Sequence, residues 1–365
     1  MNKRKLQNIL LLCATILIIL LALEIFFRIA GTELNRIKPD PNLVYRYIPG
    51  KTFSTKTGDF VNNISLNSYG FNDKEWMLSK HAGKRILIIG DSFTEGYHVS
   101  FEKQFARRLE KELPETELLS AGVSSWDTST EMKYLELEGL SFEPDVVILQ
   151  MYIGNDIYDN YVKGLFSIEN GELRDNTPVK ISSAKRIMLF LSTYSALAKR
   201  VADFLTFSPL GMRVTRALGG TATQETADDA CTRYMLFTRE KNAEYTEGFA
   251  IMDKLLDRFA LHSKKNNYVP ILLVIPMKEQ VVDSLWKYYS KEYEEKCGRL
   301  GTLQRDLPQA WLAENAPDII LIDAYPVLRQ KDANNTFYFE NNLHLNEKGH
   351  ELLSEILAGH LQSKT

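Results

Sequence analysis

The sequence predicts an α/β fold: a mostly parallel five-stranded sheet in three α/β/α layers, preceded by one N-terminal transmembrane helix. Five short apolar runs carry most of that reading, at residues 85–89, 117–120, 145–151, 269–275 and 319–322. They lack the polar alternation of a half-solvated sheet, so they read as strands buried on both faces. Helical patterns lie between and after them, at 102–113, 128–140, 244–264 and 346–361. Strands alternating with amphipathic helices build a parallel sheet covered on both sides. The third observation is the apolar N-terminus.

Residues Lys3, Arg4 and Lys5 precede an apolar run from Ile9 to Leu23, and a second patch continues to Ala30 around Glu24 and Arg28. Fifteen helical residues reach only about 22 Å, but extension to Ala30 spans a hydrocarbon core of about 30 Å. Glu24 and Arg28 then fall near the interface, where ions cost less than at the centre. A cleaved signal peptide is the rival, but no small-x-small site follows Leu23. Cys13 is no lipobox cysteine either, because bulky Leu12 precedes it and most of the apolar run follows. An uncleaved anchor is therefore expected, with the basic start cytoplasmic and the main domain outside.

Composition narrows the rest. The 365 residues are 44% hydrophobic, 11% aromatic and 25% charged, which excludes disordered, collagenous and polytopic membrane classes. With 44 Lys and Arg against 47 Asp and Glu, the net charge of -3 gives no footprint of a nucleic-acid binder. Three cysteines exclude a disulfide framework. In an oxidising compartment Cys231 and Cys297 could pair, and two free buried thiols fit equally well. The N-x-S/T sites at Asn63 and Asn334 matter only in a glycosylating host.

Three segments follow: an anchor at 1–30, a tether and small β-hairpin layer at 31–83, and the α/β domain at 84–365. Pro39, Pro41 and Pro49 mark residues 31–50 as extended. A helical insertion interrupts the domain at about 159–228, ending in a Gly/Thr-rich connector near 219–226. It reads as a lid, its Met188-Leu189-Phe190-Leu191 run as packed core; membrane contact or shielding of an acyl chain is the alternative.

The chemistry-bearing residues sit at strand ends, where open α/β sheets collect their ligands. Gly90-Asp91-Ser92 follows the first strand and presents a hydroxyl; by itself it is also an ordinary turn with a helix-capping serine. Ala121-Gly122 follows the second strand and Gly154-Asn155-Asp156 the third. Plain turns use the same residues. Chemically, the N–H groups of Ser92 and Gly122 and the Asn155 amide would make a three-donor oxyanion hole. His344 precedes the last helix, where a base could activate the serine hydroxyl. His350 falls inside that helix and reads as structural.

These four blocks, in order, resemble the SGNH hydrolases, or GDSL-type esterases, whose Ser, Gly, Asn and His match Ser92, Gly122, Asn155 and His344. The resemblance runs from about Asn67 to the C-terminus and includes Asn67-Ser68-Tyr69-Gly70-Phe71, Pro144-Asp145-Val146-Val147 and the run from Ile275 to Gln280. The start ending in Glu24-Ile25-Phe26-Phe27-Arg28 looks like a membrane-anchored subgroup. It implies an SGNH/flavodoxin-like sheet and an acyl-serine mechanism, with Asp91 supporting the nucleophile turn and Asp156 the oxyanion loop. One departure matters. The family places an Asp two or three residues before the histidine, where this chain has Asn342 and Asn341, with Glu340 one step farther away. An Asn carbonyl can accept from the ring N–H, as in Cys-His-Asn enzymes.

The expected function is an extracytoplasmic serine esterase acting on short acyl esters of cell-surface glycans or lipids, with the bilayer as its other partner. An O-acyltransferase to a glycan hydroxyl would use the same Ser92 and His344. A weakened or inactive glycan- or lipid-binding module is the third expectation, supported mainly by Asn341 and Asn342. No cofactor is implied, and the six His and three Cys show no metal-ligand spacing.

Overall fold

The structure is a computed structural model describing residues 3–81, 83–208, 210–211, 213–214, 231, 234–297, 303–331 and 335–362. It divides into two units, one of Met1–Pro39 with Lys180–Gln224 and one of Asp40–Val179 with Glu225–Thr365.

In the second unit, β5 (Lys84–Gly90), β6 (Thr116–Gly122), β7 (Val146–Tyr152), β10 (Val269–Ile275) and β11 (Ile320–Asp323) form one parallel sheet. Its order is β11-β10-β7-β5-β6. Each strand matches an apolar run to within one or two residues. Leu87, Ile88, Ile148, Leu272 and Leu273 are fully buried, as strands covered on both faces must be. Helices α2 (Ser92–Glu95), α3 (Phe105–Glu112), α4 (Thr128–Leu137) and α5 (Asp156–Lys163) belong to the first half of the chain. The second half adds α8 (Ala243–Asn266), α9 (Lys278–Val281), α10 (Asp283–Cys297), α11 (Leu307–Asn315), α12 (Tyr325–Lys331) and α13 (Glu347–Gln362).

The layer before the sheet holds more structure than its prolines suggest. Short strands β1 (Ile37–Asp40) and β2 (Val44–Tyr47) occupy the expected tether. Leu43 and Tyr47 are buried, and the Tyr47 hydroxyl donates to Glu95 at 2.9 Å. Tyr47 thus ties β2 to α2, and the Tyr45 hydroxyl donates to the Ser124 carbonyl at 2.6 Å. The expected hairpin is β3 (Thr52–Lys56) paired antiparallel with β4 (Val61–Ser65), where Asn63 is exposed. Cys231 and Cys297 are joined as a disulfide.

The expected single insertion divides. Its first part stays with the sheet as α5 and the hairpin β8 (Phe166–Glu169) and β9 (Glu172–Asp175). Its second part forms α6 (Ser183–Tyr194) and α7 (Ala196–Phe207), broken where Ser195 caps α7, and these cluster with α1 (Lys3–Ile29). Helix α1 is long and apolar enough to cross a membrane. The Met188–Leu191 run is not packed core: Met188 and Leu189 are half-buried, while Phe190 and Leu191 are exposed. The connector near 219–226 and the Asn334 site lie outside the described residues.

Candidate active site

Ser92 opens α2 just past a strand end where position 90 has no room for a side chain. A Cβ on Gly90 would stand 2.2 Å from Thr94 Oγ1 and 2.4 Å from Gln150 Oε1. Asp91 caps the helix, its carboxylate accepting the Phe93 N–H at 2.8 Å, and its own N–H donates to Gln150 Oε1 at 3.2 Å. Gly122 comes equally close from the neighbouring strand: a Cβ there would lie 2.0 Å from the Glu95 nitrogen. The strand end therefore presses on the backbone of α2.

His344 arrives from the far end of the chain on a bonded loop. Its carbonyl accepts the Phe339 N–H at 3.0 Å, and the Asn346 N–H donates to Phe337 O at 2.9 Å. The nearly buried Lys278 ammonium donates to the Phe339 and Glu340 carbonyls at 2.6 and 2.7 Å. This places His344 Nε2 2.7 Å from Ser92 Oγ.

Asn342 Oδ1 lies 2.5 Å from His344 Nδ1 and also accepts the His344 backbone N–H at 3.0 Å. The second bond settles the orientation of the amide, because a backbone N–H needs an acceptor and cannot face an NH₂ group. With the oxygen toward the ring, Nδ1 carries the proton and Nε2 is left with the lone pair that accepts the Ser92 hydroxyl. Asn341 goes elsewhere, donating from its backbone and side chain to Asp59 in the β3–β4 turn at 3.1 Å. Glu340 is exposed. Of the three candidates for the acid's place, the structure brings only Asn342 to the ring.

Asn155 precedes α5, its amide nitrogen 3.1 Å from Asp159 Oδ2 and its own oxygen buried without a protein partner. Asp156 is fully buried, accepting the Tyr152 N–H at 3.3 Å and the Thr128 hydroxyl at 3.2 Å. Burial raises Asp91 to about 7, and raises Asp156 and Glu131 well above the usual carboxylate range, each pushed further by neighbouring acids. Lys163 stands 3.3 Å from Asp127 in the same group. Among the described residues, no cluster of three or more His, Cys, Asp or Glu is arranged to hold a metal ion.

One neighbour carries no motif signal. His98 is buried, its ring stacked on His344 with centroids 3.6 Å apart and planes 25° apart, and neither of its nitrogens has a hydrogen-bond partner. Phe93 packs on the His344 ring at 4.8 Å. Burial among these rings lowers His344 to about 3 and His98 far below the ordinary imidazole value. His344 is therefore neutral near pH 7, the state a base requires. His350 is buried in α13, where its Nδ1 accepts the Phe105 N–H at 3.2 Å, a structural bond.

A family model described as GDSL-like lipase/acylhydrolase matches residues 86–357. A search of the curated proteins finds no match. Among solved structures, the chain is similar to a member of the lipolytic protein G-D-S-L family from Veillonella parvula, at 14% identity and a TM-score of 0.35, covering 76% of this chain and 97% of that one. It is similar to the lipase/acylhydrolase from Enterococcus faecalis at 14% identity and 0.34, covering 77% and 96%. A catalytic mutant of Axe2, an acetylxylan esterase from Geobacillus stearothermophilus, gives 11% identity and 0.37, covering 78% and 96%.

Proposed function

The chain belongs to the GDSL-like lipase/acylhydrolase family and is a carboxylic ester hydrolase of the SGNH type, and on that premise we propose that it is an extracytoplasmic serine esterase. It removes short acyl groups from cell-surface glycans or lipids. The observation that carries this reading is the line from Ser92 Oγ through His344 to Asn342 Oδ1, at 2.7 and 2.5 Å.

Ser92 Oγ attacks the ester carbonyl as its proton passes to His344 Nε2. The tetrahedral oxyanion is held by the N–H groups of Ser92 and Gly122 and the Asn155 amide. Its collapse expels the alcohol, which takes the proton from Nε2 and leaves an acyl-serine. Water, deprotonated by the same nitrogen, then releases the acid. Asn342 holds the ring in the tautomer this cycle needs. Asp91 supports the nucleophile turn and Asp156 the oxyanion loop.

The location rests on α1. Three basic residues before an apolar span favour a cytoplasmic N-terminus and an external catalytic unit. The Cys231–Cys297 disulfide supports the same side, since such bonds persist in oxidising compartments.

The test is turnover of p-nitrophenyl acetate by the full chain in detergent, beside labelling by a fluorophosphonate. Both should be present and should vanish together in Ser92→Ala. A folded protein showing neither would abandon the esterase reading for the binding module. Product captured on an added sugar hydroxyl, in preference to water, would move the assignment to acyl transfer.

A further inference from the structure

We propose that the solvent-facing side of α6 and α7 is a membrane-contact surface, seated in the headgroup layer of an anionic phospholipid bilayer beside the exit of α1. The inference rests on the reading that α1 spans the membrane. Helix α6 leaves an apolar stripe uncovered, while half-buried Met188 and Leu189 share its inner side with Ser192 and Thr193. Ile187, Phe190, Leu191 and Tyr194, spaced i, i+3, i+4, i+7, form one exposed apolar stripe, with Phe190 63% exposed. Ser192 and Thr193 are its fully buried residues, Ser192 at 3% exposure. Val201 and Phe204 continue the exposed apolar surface on α7. Each helix has 12 residues, about 18 Å, too short to cross a core of about 30 Å and suited to lying along it.

The depth is set by α1. From Lys5 to Glu24 an α-helix rises about 28 Å, so Glu24 falls at the hydrocarbon boundary. At that level the Glu24 carboxylate accepts the Ala196 and Leu197 N–H groups at 3.0 Å and the Ser195 hydroxyl at 2.8 Å. Arg28 donates to the Tyr194 carbonyl at 2.6 Å, and the Asn35 N–H to the Ser192 carbonyl at 2.9 Å. The junction between α6 and α7 is thus tied to the end of the span. Charge names the occupant: residues 180–214 hold six basic side chains and one acid, Asp203, in a chain whose net charge is -3. A basic amphipathic pair of this kind matches anionic headgroups.

The experiment uses the full chain in vesicles of phosphatidylcholine and phosphatidylglycerol in equal parts. In a Cys13→Ser background, with the Cys231–Cys297 disulfide intact, single cysteines Ile18→Cys, Phe190→Cys and Lys264→Cys carry an environment-sensitive fluorophore. Lipids bearing a nitroxide near the headgroup or deep in the chain act as quenchers. The expected result is deep quenching at position 18, loss of most fluorescence to the shallow quencher at 190, and none at 264. Quenching at 190 should weaken in phosphatidylcholine alone. A quenched position 18 with an unquenched position 190 overturns the proposal and leaves the anchor standing. An unquenched position 18 defeats the anchor reading, and the proposal with it.

Discussion

In the proposed mechanism Asn342 does with an amide what a carboxylate does in the family pattern, and the difference between the two groups has a definite sign. Its oxygen fixes the Nδ1–H tautomer of His344, but it brings no negative charge to stabilise the imidazolium that forms as Ser92 attacks. Asn342→Asp adds that charge. A carboxylate favours the protonated ring, so the His344 value rises from about 3 toward the ordinary imidazole range. The acid limb of kcat/KM should move to higher pH, and turnover near pH 7 should rise. Asn342→Leu leaves the ring N–H unsatisfied and should lower kcat/KM by roughly 10–100-fold, the scale of about 1–3 kcal/mol for an orphaned buried donor. A pH–rate profile reads both variants; an unmoved acid limb in Asn342→Asp would remove Asn342 from the mechanism. At this scale the pairing of Ser92 with His344, 2.7 Å apart, was legible because each stands in a short block at a strand end or before the last helix. The choice between Asn341 and Asn342 was not, since it depends on Asp59 from a distant hairpin drawing Asn341 away. Nor was His98, whose stacking on His344 leaves no trace in sequence spacing.

At the scale of elements, the site depends on how closely β6 approaches α2. Gly122→Ala keeps the backbone N–H proposed as an oxyanion donor but places a methyl 2.0 Å from the Glu95 nitrogen. Either α2 shifts, carrying Ser92 with it, or the strand does. The expected cost is at the upper end of overpacking, about 3 kcal/mol, read as a lowered urea midpoint, with activity falling although no donor is lost. Full stability in this variant would show that the contact yields cheaply. The five strands were legible because runs such as Ile86–Ile89 have no polar side to mislead the reading. Helices α6 and α7 misled it, because an apolar stripe is normally evidence of burial, whereas here the stripe faces out and Ser192 and Thr193 face in. Residues 31–50 were read as a tether from their prolines, yet Leu43 and Tyr47 give that segment a buried face.

Across the whole molecule, the disulfide links segments 66 residues apart and lies within the unit that carries the sheet. The sequence left the pair and two free thiols equally open, since a bond requires the two Cα atoms to lie within about 7 Å, and only the fold sets their 5.8 Å separation. Closing a loop of this length restricts the unfolded chain by about 4 kcal/mol in the chain-entropy account. The double substitution Cys231→Ser with Cys297→Ser should therefore lower the stability of the full chain in detergent by about 3–4 kcal/mol. Cys13 supplies the control: it is exposed on α1 and belongs to the other unit, so Cys13→Ser should leave the unfolding midpoint unchanged. Counting thiols by maleimide labelling of the denatured chain gives an independent readout. One reactive thiol before reduction and three after would establish the bond in protein taken from the cell, and with it an oxidising environment for the catalytic unit. Three thiols without reduction would instead remove the disulfide's support for an extracytoplasmic location, leaving that assignment to the charge asymmetry around α1.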